Sequence, residues 1–295
     1  FIDIEREIPI IENVNRAIKL GAEVLVIGIA PSGGRILDGW KPIIEESIKS
    51  GLSIVNGLHD LLLPEWRDII NQQKQWIWDV RVPQFTPAIA TARASSLSNK
   101  RVLFIGTDMA VGKMTSGLEL YEDLLQRRVN VGFIATGQIG ITIMGRGIPL
   151  DAFKIDHACG AVEQMVMEDA DKEILIVEGQ GSLLHPGSSA TLPLMRGCCP
   201  THLILCIRAD KMTLRSPKNI AIPDLNKFIA LNEDLATVVG TYPNAKVIGI
   251  CVNTSMLSKE EAKNFINNIL EKTGVETTDP VRFGVSGISN LLLEA

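Results

Sequence analysis

The sequence has no excess of basic residues and no long hydrophobic run, and these absences exclude two broad kinds of partner. Lys and Arg total 29 against 34 Asp and Glu, so the net charge of −5 offers no general attraction for a nucleic acid. Apolar runs such as residues 24–27 and 174–177 are far shorter than the roughly 18–20 residues of a membrane-spanning helix. We therefore expect neither a nucleic-acid partner nor a membrane partner.

Cysteine is scarce, and its spacing indicates no metal site. The five cysteines, at positions 159, 198, 199, 206 and 251, form no CxxC pair and no even-numbered disulfide framework, which favours a reducing, cytoplasmic location. The chain starts at Phe1 with neither a visible signal peptide nor an initiator methionine. We expect that a leading segment is missing, including the first strand of the first domain.

The length of 295 residues and the hydrophobic content of 46% favour two domains. Residues 11–82 alternate amphipathic helical stretches with short β-branched runs, which predicts an α/β domain with a parallel sheet. Two prolines, Pro83 and Pro87, and the small polar run 95–99 indicate a linker. The predicted domains are residues 1–98 and 99–295.

The second domain has the pattern of a doubly wound α/β sheet, whose ligands bind beyond the carboxyl ends of its strands. Strands are predicted at residues 101–106, 129–135, 172–178, 202–207 and 246–252. Helices are predicted at residues 113–127, 153–169, 223–239 and 259–273.

A glycine-rich loop, GTDMAVGKMT (106–115), follows the first of these strands and leads into a helix. Such a loop turns successive N–H groups towards an anion, and the helix N-terminus and a lysine add positive charge. We assign phosphate binding to this loop. The residues are Gly106, Thr107, Asp108, Val111, Gly112, Lys113, Met114 and Thr115.

The loop departs from the usual pattern directly after its lysine. Met114 stands where a Ser or Thr hydroxyl normally holds Mg²⁺, and Thr115 comes one residue later. A thioether is a poor ligand for a hard cation. We expect phosphate binding to survive, whereas Mg²⁺-dependent transfer of a γ-phosphate is placed in doubt.

Further candidates follow the ends of other strands. Glu178 and Gln180 lie in VEGQGSLLHP (177–186), whose His185 is a general-base candidate or a structural residue. Gln138 lies in ATGQIGI (135–141), where the glycines permit close backbone approach. Asn253 either bonds an adenine edge or forms a simple turn.

Four charged residues have weaker support as members of a functional site. Three of them follow residue 141 and one lies in the first domain. Arg146, Asp156 and His157 follow a strand end, but each also suits an ordinary surface position. In the first domain, GIAPSGGR (28–35) follows a strand without matching GxGxxG, and its Arg35 suits a carboxylate or a phosphate.

Five segments in the same order resemble a D-glutamate N-acetyltransferase-like family, in which an N-terminal Rossmann-like domain is joined to a C-terminal P-loop domain. They are GIAPSGGR (28–35), NGLHDLL (56–62), GTDMAVGKMT (106–115), ATGQIGI (135–141) and VEGQGSLLHP (177–186). The P-loop domain is also similar to dethiobiotin synthetase. The resemblance implies a Rossmann-like parallel sheet followed by a P-loop NTPase-like doubly wound sheet.

The resemblance also implies an activity: transfer of an acetyl group from acetyl-CoA to the amino group of D-glutamate or a related amino acid. An enolase-superfamily N-acetylglutamate racemase is the implied pathway partner. The acceptor is expected to contact Arg35, Arg146, Gln138 and Gln180. Because the amine must be neutral to attack a thioester, a base is needed. The candidates are Glu178, Asp108 and His185.

Two other functions remain open from the sequence. One is an ATP-dependent ligase or kinase in which Thr115 and Glu178 hold Mg²⁺, and the other is a nucleotide-binding protein without catalysis. Apolar patches around Trp66 and residues 76–78 suit either the core or a subunit contact. We expect a homo-oligomer, as is common among such enzymes.

Overall fold

The structure, a computed structural model, describes residues 8–31, 33–188 and 190–294. It contains two compact units, of which the first ends at Val82 and the second begins at Pro83. The boundary predicted from the sequence lies between residues 98 and 99. In the structure, the segment 83–98 groups with the second unit. Within the described ranges, no helix combines the length and the apolar character that crossing a membrane requires.

The first unit is built on a three-stranded parallel sheet with the order β1-β2-β3, as the alternation of elements predicted. Its strands are β1 (Val24–Ile27), β2 (Ser53–Asn56) and β3 (Ile77–Asp79), and its helices are α1 (Val14–Lys19), α2 (Lys41–Lys49) and α3 (Leu63–Trp66). Trp66 and Ile77 are buried in its core with Ile44, Ile48 and Leu62. These two members of the apolar patches are therefore core residues.

The helix α3 is short, with four residues. Buried Asp79, at the end of β3, accepts hydrogen bonds from the Leu62 and Leu63 backbone N–H groups at 2.9 and 3.0 Å. The same carboxylate accepts from the Asn56 amide at 2.7 Å. One carboxylate at the end of β3 thus binds both the end of β2 and the start of α3.

The second unit is built on a six-stranded parallel sheet with the order β5-β6-β4-β7-β8-β9. The strands are β4 (Lys100–Gly106), β5 (Val131–Ile134), β6 (Ile174–Val177), β7 (His202–Arg208), β8 (Lys246–Asn253) and β9 (Glu276–Thr278). The predicted strands are present. The edge strand β9 escaped prediction because three polar residues carry no hydrophobic pattern.

Helices connect these strands and cover the sheet. They are α4 (Lys113–Gln126), α5 (Gln138–Met144), α6 (Ile155–Glu168), α7 (Thr191–Cys198), α8 (Leu225–Thr237), α9 (Lys259–Thr273), α10 (Pro280–Phe283) and α11 (Ser286–Glu294). The four long predicted helices are present as α4, α6, α8 and α9. The start of α9 is set by a capping box between Ser258 and Glu261.

The segment 83–98 belongs to the second unit because a buried carboxylate on α6 binds its backbone. Glu163 Oε1 accepts hydrogen bonds from the N–H groups of Thr91 and Arg93 at 3.1 and 2.7 Å, and Oε2 accepts from Arg93 Nε at 2.9 Å. Burial alone would raise the pKa of Glu163, but the donors from Arg93 and Thr91 outweigh it and lower that pKa. Gly160 also lies directly against the Ala88 carbonyl.

A buried arginine fixes the last residues of this segment. Arg101, in β4, is only 1% exposed, and its Nη1 donates to the carbonyls of Leu97 and Asn99 at 3.1 and 2.8 Å. Its Nε donates to the carbonyls of Cys198 and Cys199 at 2.9 and 3.0 Å. A segment that reads as a linker is thus held by buried polar contacts.

We predict that Glu163→Ala loosens the segment 83–98. The Thr91 and Arg93 N–H groups would lose their acceptor, and each unsatisfied buried group costs about 1–3 kcal/mol. Trypsin should then cleave after Arg93 faster than in the parent, and the urea midpoint should fall. Gln164→Ala, one residue along α6, is the control. Unchanged cleavage at Arg93 would contradict this account.

Candidate functional site

The glycine-rich loop lies between the centre of the sheet and a long helix. Strand β4 ends at Gly106 and α4 begins at Lys113. Ala110 and Gly112 adopt the left-handed backbone conformation, with φ of 52° and 105°. Positive φ values of this kind bend a loop so that its N–H groups form an anion-binding nest. The fold thus gives the loop its expected position, at the carboxyl end of a central strand.

A buried ammonium group lies inside this loop. Lys113 is 6% exposed, and its Nζ donates to the Asp108 carbonyl at 2.8 Å. Burial lowers the pKa of Lys113, and the nearby Cys206, Asp108 and Glu178 oppose that change. A buried cation that has only one described hydrogen-bond acceptor is well suited to an anionic ligand.

A cavity of about 420 Å³, here called the P-loop cavity, opens beside this lysine. It brings together seven residues singled out from the sequence. They are Gly112, Lys113, Met114, Thr115, Glu178, Gln180 and Asn253. Met109, Ala110, Gly179 and Gly181 complete the described lining.

Asp108 fixes the loop rather than facing the cavity. Its Oδ1 accepts from the Met109 N–H and its Oδ2 from the Arg215 N–H, each at 2.7 Å. The carboxylate thus joins the loop to the segment that follows β7. The Thr107 hydroxyl is buried and has no hydrogen-bond partner within the described ranges.

Glu178 lies directly after β6 and is only 2% exposed. Its Oε2 accepts from the N–H groups of Thr136 and Gly137 at 2.8 and 3.1 Å, and its Oε1 accepts from Gln180 Nε2 at 3.3 Å. Burial raises the pKa of Glu178, against the opposing effect of these two N–H groups and of Lys113. The carboxyl group therefore keeps its proton to a higher pH than an exposed glutamate.

Glycines allow this close arrangement of strand ends. Gly140 lies so close to Glu178 Oε2 that no Cβ would fit between them, and a Cβ on Gly137 would stand 3.1 Å from Oε1. Gly179 lies directly against the Phe104 carbonyl, and its Cβ would stand 2.9 Å from Lys113 Cδ. The glycines of both motifs are thus explained by close packing around Glu178 and Lys113.

A second cavity of about 500 Å³, here called the side cavity, adjoins the first. The two cavities share Met109, Gln180 and Gly181 in their linings. Gln138, predicted to contact substrate, lies in the side cavity. The other described lining residues are Thr136, Gly137, Leu150, Asp151, Phe153, Ile155, Ala158, Gly187, Ser188, Ala190 and Pro193.

The sequence analysis missed most of the side cavity, including Leu150, Asp151, Phe153 and Ile155. These residues lie in a short turn of helix and at the start of α6, where no motif identifies them.

The predicted loop residues Gly106, Thr107, Asp108 and Val111 lie outside both linings, as do His185, Arg146 and Arg35. His185 Nε2 donates to the Ser216 carbonyl at 2.6 Å while its Nδ1 accepts from the Gly187 N–H at 3.1 Å, so both ring nitrogens are occupied. Arg146 pairs with Asp169 at 3.0 Å. Arg35, in the first unit, pairs with Asp60. Ser32, in the same predicted turn, lies outside the described residues.

Asp156 and His157 lie in the first turn of α6. The His157 Nδ1 is 2.9 Å from the Pro87 carbonyl, a contact with the segment 83–98. No group of three or more His, Cys, Asp or Glu side chains suited to a metal ion occurs among the described residues. Thr115 and Glu178, named from the sequence as magnesium ligands, do line the same cavity.

We predict that Gly179→Ala abolishes phosphate-ligand binding. The added Cβ would overlap the Phe104 carbonyl and press on the Lys113 side chain. A displacement that costs about 1.4 kcal/mol already lowers affinity tenfold, so the stabilisation by ADP or CoA in a thermal-shift assay should vanish. Gly39→Ala, whose Cβ would meet no atom within 4 Å, is the control. A normal shift in Gly179→Ala would refute the proposed packing.

The amino-acid sequence matches two family models. Residues 1–83 match the domain of unknown function described as the DUF1611_N Rossmann-like domain. Residues 88–289 match the domain of unknown function described as the DUF1611_C P-loop domain. The gap between these matches contains the start of the segment 83–98.

The chain is similar to two curated proteins and to a solved structure. It is 36% identical to a D-glutamate N-acetyltransferase from Pseudoalteromonas sp over 94% of this chain and 83% of the relative. It is 34% identical to a D-glutamate N-acetyltransferase from Tritonibacter scottomollicae over 92% of this chain and 81% of the relative. The crystal structure of a DUF1611 family protein from Anabaena variabilis superposes with a TM-score of 0.94 at 42% identity, covering 99% of this chain and 86% of that one. The chain therefore belongs to the DUF1611 family, with a Rossmann-like domain followed by a P-loop domain.

Proposed function

We propose that this protein is an N-acetyltransferase that moves the acetyl group of acetyl-CoA to the amino group of D-glutamate or a related amino acid. The observation that carries the proposal is the P-loop cavity, lined by a buried lysine and a buried carboxylate and adjoining a second cavity. The relatives named D-glutamate N-acetyltransferase support the same activity.

The P-loop is proposed to hold phosphate groups of the donor without transferring them. Lys113 and the N-terminus of α4 supply positive charge at the cavity. Met114 places no hydroxyl directly after the lysine, and both oxygens of Asp108 already accept backbone hydrogen bonds. These features suit a ligand whose phosphates anchor it, such as coenzyme A.

The proposed reaction is a direct transfer. The amine nitrogen of the acceptor attacks the thioester carbonyl, the C–N bond forms, the C–S bond breaks, and the sulfur leaves as a thiolate that takes up a proton. Glu178 is the proposed base that removes the ammonium proton. It is preferred to Asp108 and His185 because it lines the P-loop cavity, whereas neither of those residues is part of either cavity lining.

We predict release of free CoA thiol when the protein is incubated with acetyl-CoA and D-glutamate. L-glutamate and D-aspartate test the choice of acceptor, and Lys113→Met should lower kcat/KM because it removes the buried cation. Donor without acceptor is the background control. If no tested amino acid raises thiol release above background, the proposed activity fails.

We predict that Glu178→Gln lowers kcat by about 10²–10⁴-fold, the usual contribution of a general base. Because burial raises the pKa of Glu178 above its ordinary value near 4.5, the parent rate should fall on the acidic side at a correspondingly higher pH. The variant should lose that acidic limb. Glu122→Gln, an exposed carboxylate on α4, should keep the parent profile. A Glu178→Gln variant with a reduced rate but an unchanged acidic limb in its pH–rate profile would indicate a structural role for Glu178.

We predict that acetyl transfer continues in EDTA, because the proposed donor site needs no magnesium. The ATP-dependent alternative predicts the opposite, namely ADP formation that requires both Mg²⁺ and a carboxylate substrate. Both measurements use the same protein, with ADP read by a coupled assay. Magnesium-dependent ADP formation without thiol release would contradict the proposed acetyltransferase and favour the ligase or kinase.

A further inference from the structure

The side cavity joins the P-loop cavity through residues that belong to both. Met109, Gln180 and Gly181 line each of them, and the Ser188 side chain lies directly against Gly181 at this junction. A ligand whose phosphates rest beside Lys113 can therefore continue past Gln180 without leaving the protein surface. About 500 Å³ falls within the roughly 300–1,000 Å³ that small-molecule pockets occupy.

The chemistry of the side cavity is neutral and partly apolar. Gln138 and Gln180 offer amide donors and acceptors, while Leu150, Phe153 and Ile155 form an apolar wall. Among its described lining residues, Asp151 is the one charged side chain, and none is Lys or Arg. The cavity thus offers hydrogen bonds and apolar surface but no positive charge.

This composition does not suit a dicarboxylate. Two carboxylates placed here would lose water without gaining a cation, and they would lie in the same cavity as Asp151. A neutral chain that contains amide groups matches the cavity instead, because its amides pair with the glutamine side chains and its methylene groups contact the apolar wall.

We propose that the side cavity binds the pantetheine arm of the acyl donor and carries the thioester to the edge of Glu178. The proposal rests on the proposed function, and it assigns the acceptor carboxylates to groups outside this cavity. The arm would pass Gln180, whose Nε2 is 3.3 Å from Glu178 Oε1. Thr136 and Gly137, whose N–H groups bind Glu178 Oε2, line the cavity itself. The proposal therefore places the thioester beside Thr136, Gly137 and Gln180, which line the side cavity and contact Glu178.

The test compares two probes by calorimetry: CoA, and adenosine 3′-phosphate 5′-diphosphate, which keeps the nucleotide and all three phosphates but lacks the arm. The parent should bind CoA at least tenfold more tightly than this arm-free nucleotide. Ser188→Trp should block the junction and bring the two dissociation constants close together. Gln138→Leu should weaken CoA by about three- to tenfold, the value of one net hydrogen bond. Gln164→Leu, on α6 outside both linings, is the control.

Binding of the arm-free nucleotide reports on folding and on the P-loop, so a fall in affinity confined to CoA supports the assignment of the side cavity. Equal affinities in the parent, or an unchanged ratio in both variants, would overturn it. Thiol release with D-glutamate, measured on the same samples, separates the two proposals. Activity with an unchanged ratio rejects the cavity assignment alone, whereas absent activity and absent CoA binding reject both.

Discussion

The second unit is organised around the burial of one ammonium group, that of Lys113. A buried cation needs polar partners. Among the described residues, the Asp108 carbonyl accepts a hydrogen bond from Lys113 Nζ, and the nearby Cys206, Asp108 and Glu178 favour the charged form of the lysine. To bring these groups together, the end of β6 must pass against the end of β4, which requires Gly179 beside the Phe104 carbonyl. Glycines of separate motifs therefore allow Lys113 and Glu178 to lie close together. The proposed phosphate ligand would add a further negative charge beside the lysine.

Glu178 links this cation to the neighbouring strand. Parallel strands β5 and β6 end at the same edge, so N–H groups after β5 reach the carboxylate after β6. These donors hold the carboxylate in place while burial keeps its pKa high. A base proposed for an amine needs both properties: a fixed position and a proton affinity closer to neutral pH than that of an exposed glutamate.

The segment 83–98 has a structural consequence for the site. It is bound by Glu163 and packs on Gly160, both on α6, and the first turns of α6 also supply Ile155 and Ala158 to the side cavity. Different parts of α6 therefore bind the segment 83–98 and line the side cavity. Buried hydrogen bonds and the packing of Phe85, Ala94 and Leu97 with the core place this segment with the second unit.

The sequence by itself determined the parallel α/β architecture, the long helices and the glycine-rich loop between β4 and α4, because these depend on hydrophobic periodicity and on glycine spacing within short stretches. It also marked Glu178, Gln180, Gln138 and Asn253, since the carboxyl ends of parallel strands share one edge. Only the tertiary structure decided that His185 and Arg146 are occupied by other partners and that the apolar residues 150–155 form a cavity wall. Hydrogen-bond partners and cavities arise between distant segments, and no local pattern encodes them.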